Sequence, residues 1–191
     1  MKAGKIIGLG AVLLIAIYVW FTFNAFVNKE EKMNLQWNEL QNVYQRRLEL
    51  IPNLVNVVKG LSEFESDALE SVTRARSRAA SVQLSNIDEA SYQQQQAAQN
   101  ELAAATNRLI IAVERYPDIQ GTKSFVDLQV QLEGTERRIK VARKDFNEAV
   151  RVYNESVRRF PSSMVARVFG FSVRSGFEAA AGAENSVEIK F

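Results

Sequence analysis

The segment from Ile6 to Val27 restricts how this chain can fold more than any other feature of the sequence. It reads IIGLGAVLLIAIYVWFTFNAFV, a run of 22 residues without a charged side chain. As a helix rising about 1.5 Å per residue it is about 33 Å long, enough to cross a hydrocarbon core of about 30 Å. A cleaved signal peptide is the alternative, but its apolar stretch is shorter, about 7–15 residues, and ends at a small-x-small site. The run therefore predicts a membrane anchor that is not cleaved.

The charges on either side of the apolar run bear on its orientation. Lys2 and Lys5 precede the run, and Lys29 and Lys32 follow it. Lys and Arg near a membrane span are more frequent on its cytoplasmic side. Two lysines lie on each side of this run, so they give no preference, and only the free amino terminus favours a cytoplasmic N-terminus. No later stretch reaches 18 apolar residues, so residues 28–191 are expected on one side of the membrane.

Two missing residue types exclude many kinds of active site. The chain has no Cys and no His, so a thiolate nucleophile, an iron–sulfur or Cys/His zinc site and a Ser-His-Asp triad are all excluded. The sequence has no glycine-rich phosphate loop and no nucleophile elbow. The formal net charge is only +2, from 24 Lys+Arg and 22 Asp+Glu, too small to indicate nucleic acid. We expect a protein that is not an enzyme and that binds no cofactor, metal or nucleic acid.

A heptad pattern predicts that the chain beyond the anchor is helical. Apolar or small residues recur in steps of three and four over five heptads, as on the core-facing side of a helix in a coiled coil or bundle. The pattern consists of Phe125, Leu128, Leu132, Thr135, Ile139, Ala142, Phe146, Ala149, Tyr153, Ser156 and Phe160. Thr122 and Ser124 are candidate caps for this helix, and Pro161 is expected to end it.

Three shorter stripes precede this helix. They run from Trp37 to Ile51, from Leu54 to Val82 and from Leu102 to Tyr116. Pro52 separates the first two, either as the first residue of a new helix or as a kink within one long helix. Short connections near 83–88 and 117–123 predict that successive helices are antiparallel neighbours. The pattern predicts an all-α bundle of three or four long helices, the first continuous with the anchor.

A series of short motifs follows in a fixed order along the chain. RRLELIPNLV occupies residues 46–55, with Trp37 before it and Lys59-Gly60 after it. Further motifs are Ala75-Arg76, Asn107-x-Leu109, Glu114-x-Tyr116-Pro117, Glu136-x-x-Ile139, Ala142-Arg143, Phe146-Asn147, Tyr153-Asn154, Phe160-Pro161 and Phe169-Gly170-Phe171. In this order the sequence resembles the LemA family over about residues 23–178. Leu61, Phe64 and Phe146 depart from the Tyr, His and Tyr usual there.

The resemblance implies an N-terminal transmembrane helix followed by an up-and-down antiparallel four-helix bundle of long helices. We divide the chain into an anchor at residues 1–28, a helical bundle at 29–161 and an amphipathic tail at 162–191. The family is placed in the bacterial envelope and has no established molecular function, so it supplies no catalytic residues. We expect a single-pass protein of the cytoplasmic (inner) membrane with its bundle on the exported side, although some relatives have been described with the bundle in the cytoplasm.

Polar residues within these motifs are the first candidates for function. Arg46 and Arg47 lie one turn before Pro52 and could bind an anion or a partner, or pair with acidic residues of a neighbouring helix. Asparagines recur in the family-like motifs, where a buried amide typically sets helix register. They are Asn53, Asn107, Asn147 and Asn154. The acidic stretch from Glu63 to Glu70 and the basic stretch from Arg137 to Lys144 are expected to be solvated surface.

The tail is the other candidate surface. Residues 161–177 read PSSMVARVFGFSVRSGF, apolar with two arginines. The segment could lie on a membrane or dock onto a partner, or it could fold back and close one end of the bundle. Its candidate lipid or partner contacts are Arg167, Phe169, Phe171, Arg174 and Phe177. The last residues, 187–191, alternate in polarity and could add a strand to another protein.

The sequence indicates placement more clearly than activity. Our leading hypothesis for the function is a non-enzymatic, membrane-anchored scaffold or adaptor for envelope proteins. The anchor would contact the lipid bilayer through residues 6–27, and the bundle would bind a membrane protein or a second copy of itself. The alternative is an accessory subunit that senses a ligand or stress for a membrane enzyme, such as a protease or phosphatase. A dry core would favour the scaffold, and a polar-rimmed cavity would favour the sensor.

Overall fold

The computed structural model describes residues 2–60, 66–82 and 89–177. The predicted all-α class is confirmed, because these residues form six helices and no strand. The helices are α1 (Lys2–Lys59), α2 (Ser66–Ser81), α3 (Glu89–Val113), α4 (Pro117–Gln120), α5 (Lys123–Arg158) and α6 (Ser162–Phe169). Some residues discussed above lie outside the described part of the chain. They are Leu61 and Phe64, which differ from the usual residues of the family, the acidic residues Glu63 and Glu65, and residues 178–191.

Helix α1 is a single element of 58 residues that contains Pro52. Pro52 therefore starts no new helix, and the boundary lies at the Gly60 turn instead. The stripe expected from Leu54 to Val82 is consequently split between α1 and α2. Proline costs an internal hydrogen bond in a helix, but the buried neighbours Ile51 and Leu54, each 0 % exposed, pack into the core on either side of it.

The amino-terminal part of α1 is long and apolar enough to cross a membrane. Residues 6–18 are exposed along their whole length. Among the described helices α1 alone meets the length and composition required of a membrane span. The apolar helix predicted for residues 6–27 is thus present, and it continues without interruption into the rest of the protein.

Helix α5 buries the heptad pattern over most of its length. Thr122 caps its start, because the Thr122 hydroxyl accepts a hydrogen bond from the Phe125 amide at 3.3 Å. The pattern weakens at Ala142 and Ser156, which are half-buried, and fails past the end of the helix at Arg158, where Phe160 is 76 % exposed. Val157 takes the buried position in the last turn, at 7 % exposure. The helix period of 3.6 residues drifts from the heptad repeat, which shifts the buried face by one position.

Residue pairs fix the direction in which the helices pass each other. Along α1 and α5 the paired residues run in opposite order, from Arg46 with Gln131 to Glu30 with the chain beyond α5. Helices α2 and α3 pack together and are joined by Arg78 and Glu101. Helix α1 also contacts α2, α3 and α6. The apolar faces of the helices therefore converge on a shared interior.

The interior consists of three clusters stacked along α1. The distal cluster joins α1, α2, α3, α4 and α5 around Ile51, Leu54, Leu102, Leu109 and Phe125. The middle cluster is aromatic and contains Trp37, Tyr44, Tyr92, Phe146 and Phe177. The anchor-end cluster, next to the apolar run, contains Phe26, Tyr153, Val157, Val165 and Ala166. Tail residues complete the second and third clusters.

Candidate functional site

Arg47 lies in a buried polar layer between α1, α3 and α5. It is 3 % exposed, and its Nη1 donates to the backbone and side-chain oxygens of Gln99, both at 3.0 Å. Its Nη2 donates to the carboxylate of Glu136 on α5. Burial lowers the pKa of Arg47, and the Glu136 charge opposes this shift. Because these donors are bound to acceptors of the protein itself, Arg47 joins three helices and does not present a charge to solution.

Arg46 faces outward although it adjoins Arg47. Its side chain is 55 % exposed, 3.9 Å from Glu49, and its Nη2 donates to Gln131 at 3.2 Å. Neighbouring residues of a helix point about 100° apart. The two arginines that the sequence presents as one motif therefore belong to different environments.

Arg143 belongs to the basic stretch that we expected to be solvated, yet it packs against the middle cluster. It is half-buried, and its Nε donates to the Tyr44 hydroxyl at 2.8 Å. Its guanidinium lies 5.7 Å from the ring centroid of Tyr44 and 5.4 Å from that of Phe177. Burial raises the pKa of Tyr44, and Arg143 opposes that shift. The sequence signal for Arg143 is its place directly after the stripe position Ala142.

Two asparagines on α5 bind the chain that follows α6. Asn154 accepts a hydrogen bond from the Arg174 amide and donates to the Arg174 carbonyl oxygen, both at 2.7 Å. Asn147 makes the same two bonds with Phe177, at 2.8 and 3.0 Å. Seven helical residues rise about 10.5 Å, close to the roughly 10 Å covered by three extended residues. Residues 170–177, here named the strap, therefore run antiparallel to α5 in register with the two amides.

The other two candidate asparagines lie elsewhere. Asn53 on α1 and Asn107 on α3 are both exposed. The structure brings only Asn147 and Asn154 of the four together on one face. Their spacing of one heptad was visible in the sequence, but the backbone that they bind lies 20 and 30 residues further along the chain.

The strap begins and ends at positions that restrict its side chains. Gly170 ends α6 with a φ of 78°, a left-handed conformation that favours glycine. At Gly176 an added Cβ would lie 2.7 Å from the Asn147 Oδ1 atom. The strap approaches α5 so closely at Gly176 that a side chain would displace the asparagine.

Phe177 and Arg174 attach the strap to α1. The Phe177 ring, in a residue only 8 % exposed, lies 5.9 Å from Trp37 and 5.6 Å from Phe146 between ring centroids. The Arg174 Nη2 donates to the Glu30 carboxylate at 2.8 Å, and this bond raises the pKa of Arg174. Both residues, predicted as partner or lipid contacts, are engaged within the chain in this structure.

The remaining tail candidates lie beside the apolar run. The rings of Phe169 and Phe171 lie 5.1 and 5.5 Å from the ring of Phe23, and Phe171 also lies 5.0 Å from Phe26. Phe169 is nevertheless 49 % exposed, and Arg167 is exposed. The tail thus joins the body to the anchor and still leaves part of its apolar surface uncovered.

The grooves found among the described residues are open, and charged side chains line them. One groove of about 780 Å³ is lined by the two strap-binding asparagines and by Arg151, Arg158 and Arg174, among others. Arg151 is bound to Glu148 and Glu155. The described residues contain no group of three or more His, Cys, Asp or Glu that could hold a metal.

Comparison with known proteins gives two kinds of match. Over 74 residues, 39% of this chain and 27% of the relative, the chain is 32% identical to magnetosome protein MamQ 2 of Paramagnetospirillum magneticum. Over 67 residues, 35% of this chain and 25% of the relative, it is 31% identical to magnetosome protein MamQ of Magnetospirillum gryphiswaldense. The chain thus spans about a quarter of the length of these magnetosome proteins.

The second kind of match extends over most of the chain. Over 163 residues, 82% of this chain and 72% of the relative, it is 19% identical to protein LemA of Metamycoplasma hominis. The LemA family profile matches residues 36–191, well over half of the sequence. This range includes the Arg47 layer, the strap-binding asparagines and the strap itself, and the resemblance inferred from the motifs is confirmed: the chain belongs to the LemA family.

Proposed function

We propose that this protein is a non-enzymatic, single-pass membrane scaffold or adaptor whose four-helix bundle holds another envelope protein, or a second copy of itself, away from the bilayer. One observation carries the proposal: α1 extends without a break from the apolar run into the interior of the body. Residues 28–59 add about 48 Å of helix beyond the anchor. A partner bound to the far end would be held at that distance from the lipid surface.

The paired residues support an up-and-down arrangement of the four long helices. Helix α1 passes α3 in the same direction, since Gln41 approaches Gln95 and Arg47 approaches Gln99. It passes α5 in the opposite direction. The short connections along the sequence, six residues from α1 to α2 and seven from α2 to α3, favour a direction of α2 opposite to both α1 and α3. Four alternating helices around a common core are the arrangement that short connections favour.

The state of the polar residues supports a role other than catalysis. Arg47 and Arg143 are bound to side chains of the protein, and the strap occupies Asn147 and Asn154. An active site needs a nucleophile, acid or base that is poised to react with a substrate. Polar groups that are already bound to one another stabilise the fold instead.

The outer face of α5 is the partner surface that we propose. Val126, Val130 and Val141 are 45 %, 62 % and 57 % exposed and lie on one side of α5, opposite its buried stripe. Gly134 lies on the same face, and nothing approaches within 4 Å of a Cβ added there. Val126, Val130 and Gly134 follow one another in steps of four, and Val141 lies seven residues further along the same face. This spacing suits the docking of another helix.

Photo-crosslinking in native membranes tests the proposal. We would place a photoreactive residue at Val130 or Val141 of the full chain and use the exposed Ala104 on α3 as the matched control. A ladder of self-crosslinks supports a homo-oligomeric scaffold, and one dominant foreign membrane protein supports an adaptor. Labelling at Val130 and Val141 no stronger than at Ala104 would contradict the proposed surface.

A ligand-sensing accessory subunit is the second candidate. The observation that favours it is the 780 Å³ groove beside the strap, which has polar walls. Small-molecule sites are concave with a few convergent polar groups. Binding of a ligand in this groove would compete with the strap for Asn147 and Asn154. Crosslinking to a membrane protease or phosphatase, together with ligand-dependent release of the strap, would favour this function over the scaffold.

We also propose that the anchor lies in the bacterial inner membrane with the body on the exported side. The lysines on the two sides of the apolar run balance, so support for the exported side comes from the envelope location that the resemblance to the LemA family implies. Because the chain has no Cys, Ala104→Cys creates a single thiol on the body. Labelling of intact spheroplasts by a membrane-impermeant maleimide is expected. Labelling that requires lysis would mean that the body is cytoplasmic.

A further inference from the structure

Helix α6 has apolar side chains both where it packs on the body and where it is exposed. Val165 and Ala166 are 6 % and 2 % exposed and pack against the anchor-end cluster. Met164 and Val168 lie outside this contact and are 63 % and 78 % exposed. A helix that is apolar in both parts of its circumference normally has both parts covered. The outward face of α6 is therefore incomplete without another apolar surface.

The position of α6 along α1 indicates what that surface is. Val19 of α1 packs onto the anchor-end cluster, and the Phe23 ring contacts the ring of Phe169 at the end of α6. Both α1 residues belong to the uncharged run of 22 residues. Helix α6 therefore lies beside the last part of the membrane segment, and not beside the body alone.

The length of the apolar run makes this position informative. If α6 were outside the bilayer, the crossing would be left to residues 6–18, which span only about 20 Å as a helix. A hydrocarbon core of about 30 Å requires about 20 residues, which extends from Ile6 to Ala25. The bilayer must therefore reach the level at which α6 packs against α1. Trp20 and Phe21, both 63 % exposed at this level, are the residue types typical of the membrane interface.

The charged residues near α6 fit the same location. Arg158 and Arg159 at the end of α5, and Arg167 within α6, are exposed. Long basic side chains extend from an apolar surface towards anionic headgroups. An apolar face with arginines at its edge is the composition of a helix that lies in the interface.

We propose that α6 lies in the boundary between headgroups and acyl chains, with Met164 and Val168 in contact with lipid. This inference rests on the proposed membrane anchor and adds a second point of contact. With the strap fixed to α5 and Glu30, a helix held in the interface restricts tilting of the body relative to the bilayer. The lipid contacts of the tail are then Met164, Val168 and Phe169, whereas Arg174 and Phe177 attach it to the body.

Fluorescence quenching in vesicles tests this placement. Single-Cys variants of the full chain, Val168→Cys, Val12→Cys and Ala104→Cys, each receive one environment-sensitive label, because the natural chain has no Cys. The vesicles contain phosphatidylethanolamine and phosphatidylglycerol with lipids spin-labelled at the headgroup or deep in the acyl chain. Iodide serves as the aqueous quencher. Met164→Cys repeats the measurement at a second outward position.

The expected pattern separates the helix from the anchor. Labels at positions 164 and 168 should show blue-shifted emission, several-fold less iodide quenching than at 104, and stronger quenching by headgroup spin labels than by deep ones. The label at position 12 should prefer the deep quencher. If positions 164 and 168 resemble 104 while 12 is buried in lipid, the interfacial helix is wrong and the anchor stands. If position 12 is also open to iodide, the anchor itself is wrong.

Discussion

At the scale of single residues, the adjacent arginines show how strongly a helix separates neighbours. Arg47 is enclosed by Gln99 and Glu136, whereas Arg46 lies at the surface beside Glu49. A buried charged donor bound to several acceptors stabilises a fold mainly because its loss leaves those acceptors unpaired. An exposed ion pair contributes little, since water replaces it readily.

Arg47→Met is expected to lower the free energy of unfolding by about 2–3 kcal/mol, because the Gln99 acceptors lose their donor in the interior. Arg46→Met is the matched control and should change it by no more than about 0.5 kcal/mol. Urea unfolding of the full chain in detergent micelles, followed by circular dichroism, measures both. Equal effects of the two substitutions would contradict the structural role of Arg47.

Two glycines provide a similar comparison. Gly176→Ala should displace Asn147 and detach the strap, because the new methyl group would lie 2.7 Å from Oδ1. Gly134→Ala meets nothing within 4 Å and should stabilise α5, by up to about 1 kcal/mol. Hydrogen exchange at the Phe177 amide, with thermal unfolding alongside, follows both variants. Retained protection at Phe177 in Gly176→Ala would show that the strap tolerates a side chain there.

Tyr44 gives a prediction for pH. Burial raises its pKa above the ordinary value of 10.0. In the unfolded chain the hydroxyl ionises near pH 10.0, while in the folded chain it stays protonated to higher pH, so stability is retained below pH 10.0 and lost as pH rises above it. The unfolding midpoint should be lower above pH 10.0 than below it. This decrease should be smaller in Tyr44→Phe. An unchanged slope in this variant would assign the loss to other groups.

At the scale of elements, the strap is a short extended segment that depends on α5 for its backbone hydrogen bonds. Asn147 and Asn154 satisfy four backbone groups of the strap, and buried backbone groups rarely remain unpaired. Phe177 then adds an aromatic side chain to the middle cluster. A segment without regular secondary structure is thus held in place by amide side chains.

The double substitution of Asn147 and Asn154 by Ala should release the strap and expose its backbone to protease. Near-UV circular dichroism should weaken too, because Phe177 no longer packs against Trp37. Replacing the exposed Asn53 and Asn107 by Ala is the matched control and should leave both signals unchanged.

Deletion of residues 162–191 should have the same effect as the double substitution of Asn147 and Asn154. If the deletion leaves the near-UV signal intact, the tail contributes nothing to the interior.

At the scale of the whole molecule, the anchor and the body share one helix. The phase of α1 determines that Phe23 meets α6 while Glu30 meets the strap. Because a helix turns about 100° per residue, these two contacts remain compatible only if the helix between them keeps its length. If α1 crosses the membrane as proposed, its register sets the orientation of the body relative to the bilayer.

Insertion of one Ala after Asn28 should break one of these contacts, since it rotates the anchor by about 100° relative to the body. A disulfide between Phe23→Cys and Phe169→Cys, formed by oxidation in membranes, reports the contact. We expect efficient formation with natural spacing and several-fold less after the insertion. The exposed pair Val12→Cys and Val168→Cys serves as the control for random collision. Unchanged crosslinking would mean that α1 bends freely beyond the anchor.

Sequence patterns alone determined the helical class, the length and apolar composition of the start of α1, a start of α5 at Thr122 or Ser124, and the family. These follow from local properties: an uncharged run long enough for a bilayer, a cap, and a period that places apolar residues on one face of a helix. Each can be recognised within one segment because neighbours along the chain produce it.

Only the tertiary structure decided which polar residues are enclosed and where the tail lies. Arg47 meets Glu136 across 89 residues, Arg143 meets Tyr44 across 99, and Arg174 meets Glu30 across 144. The sequence pattern could not predict that these arginines are enclosed. Arginine is ordinarily a surface residue, and only the packing of a neighbouring helix shows that it is covered. The same holds for Pro52, which lies inside α1 despite its missing hydrogen bond, between the buried core residues Ile51 and Leu54.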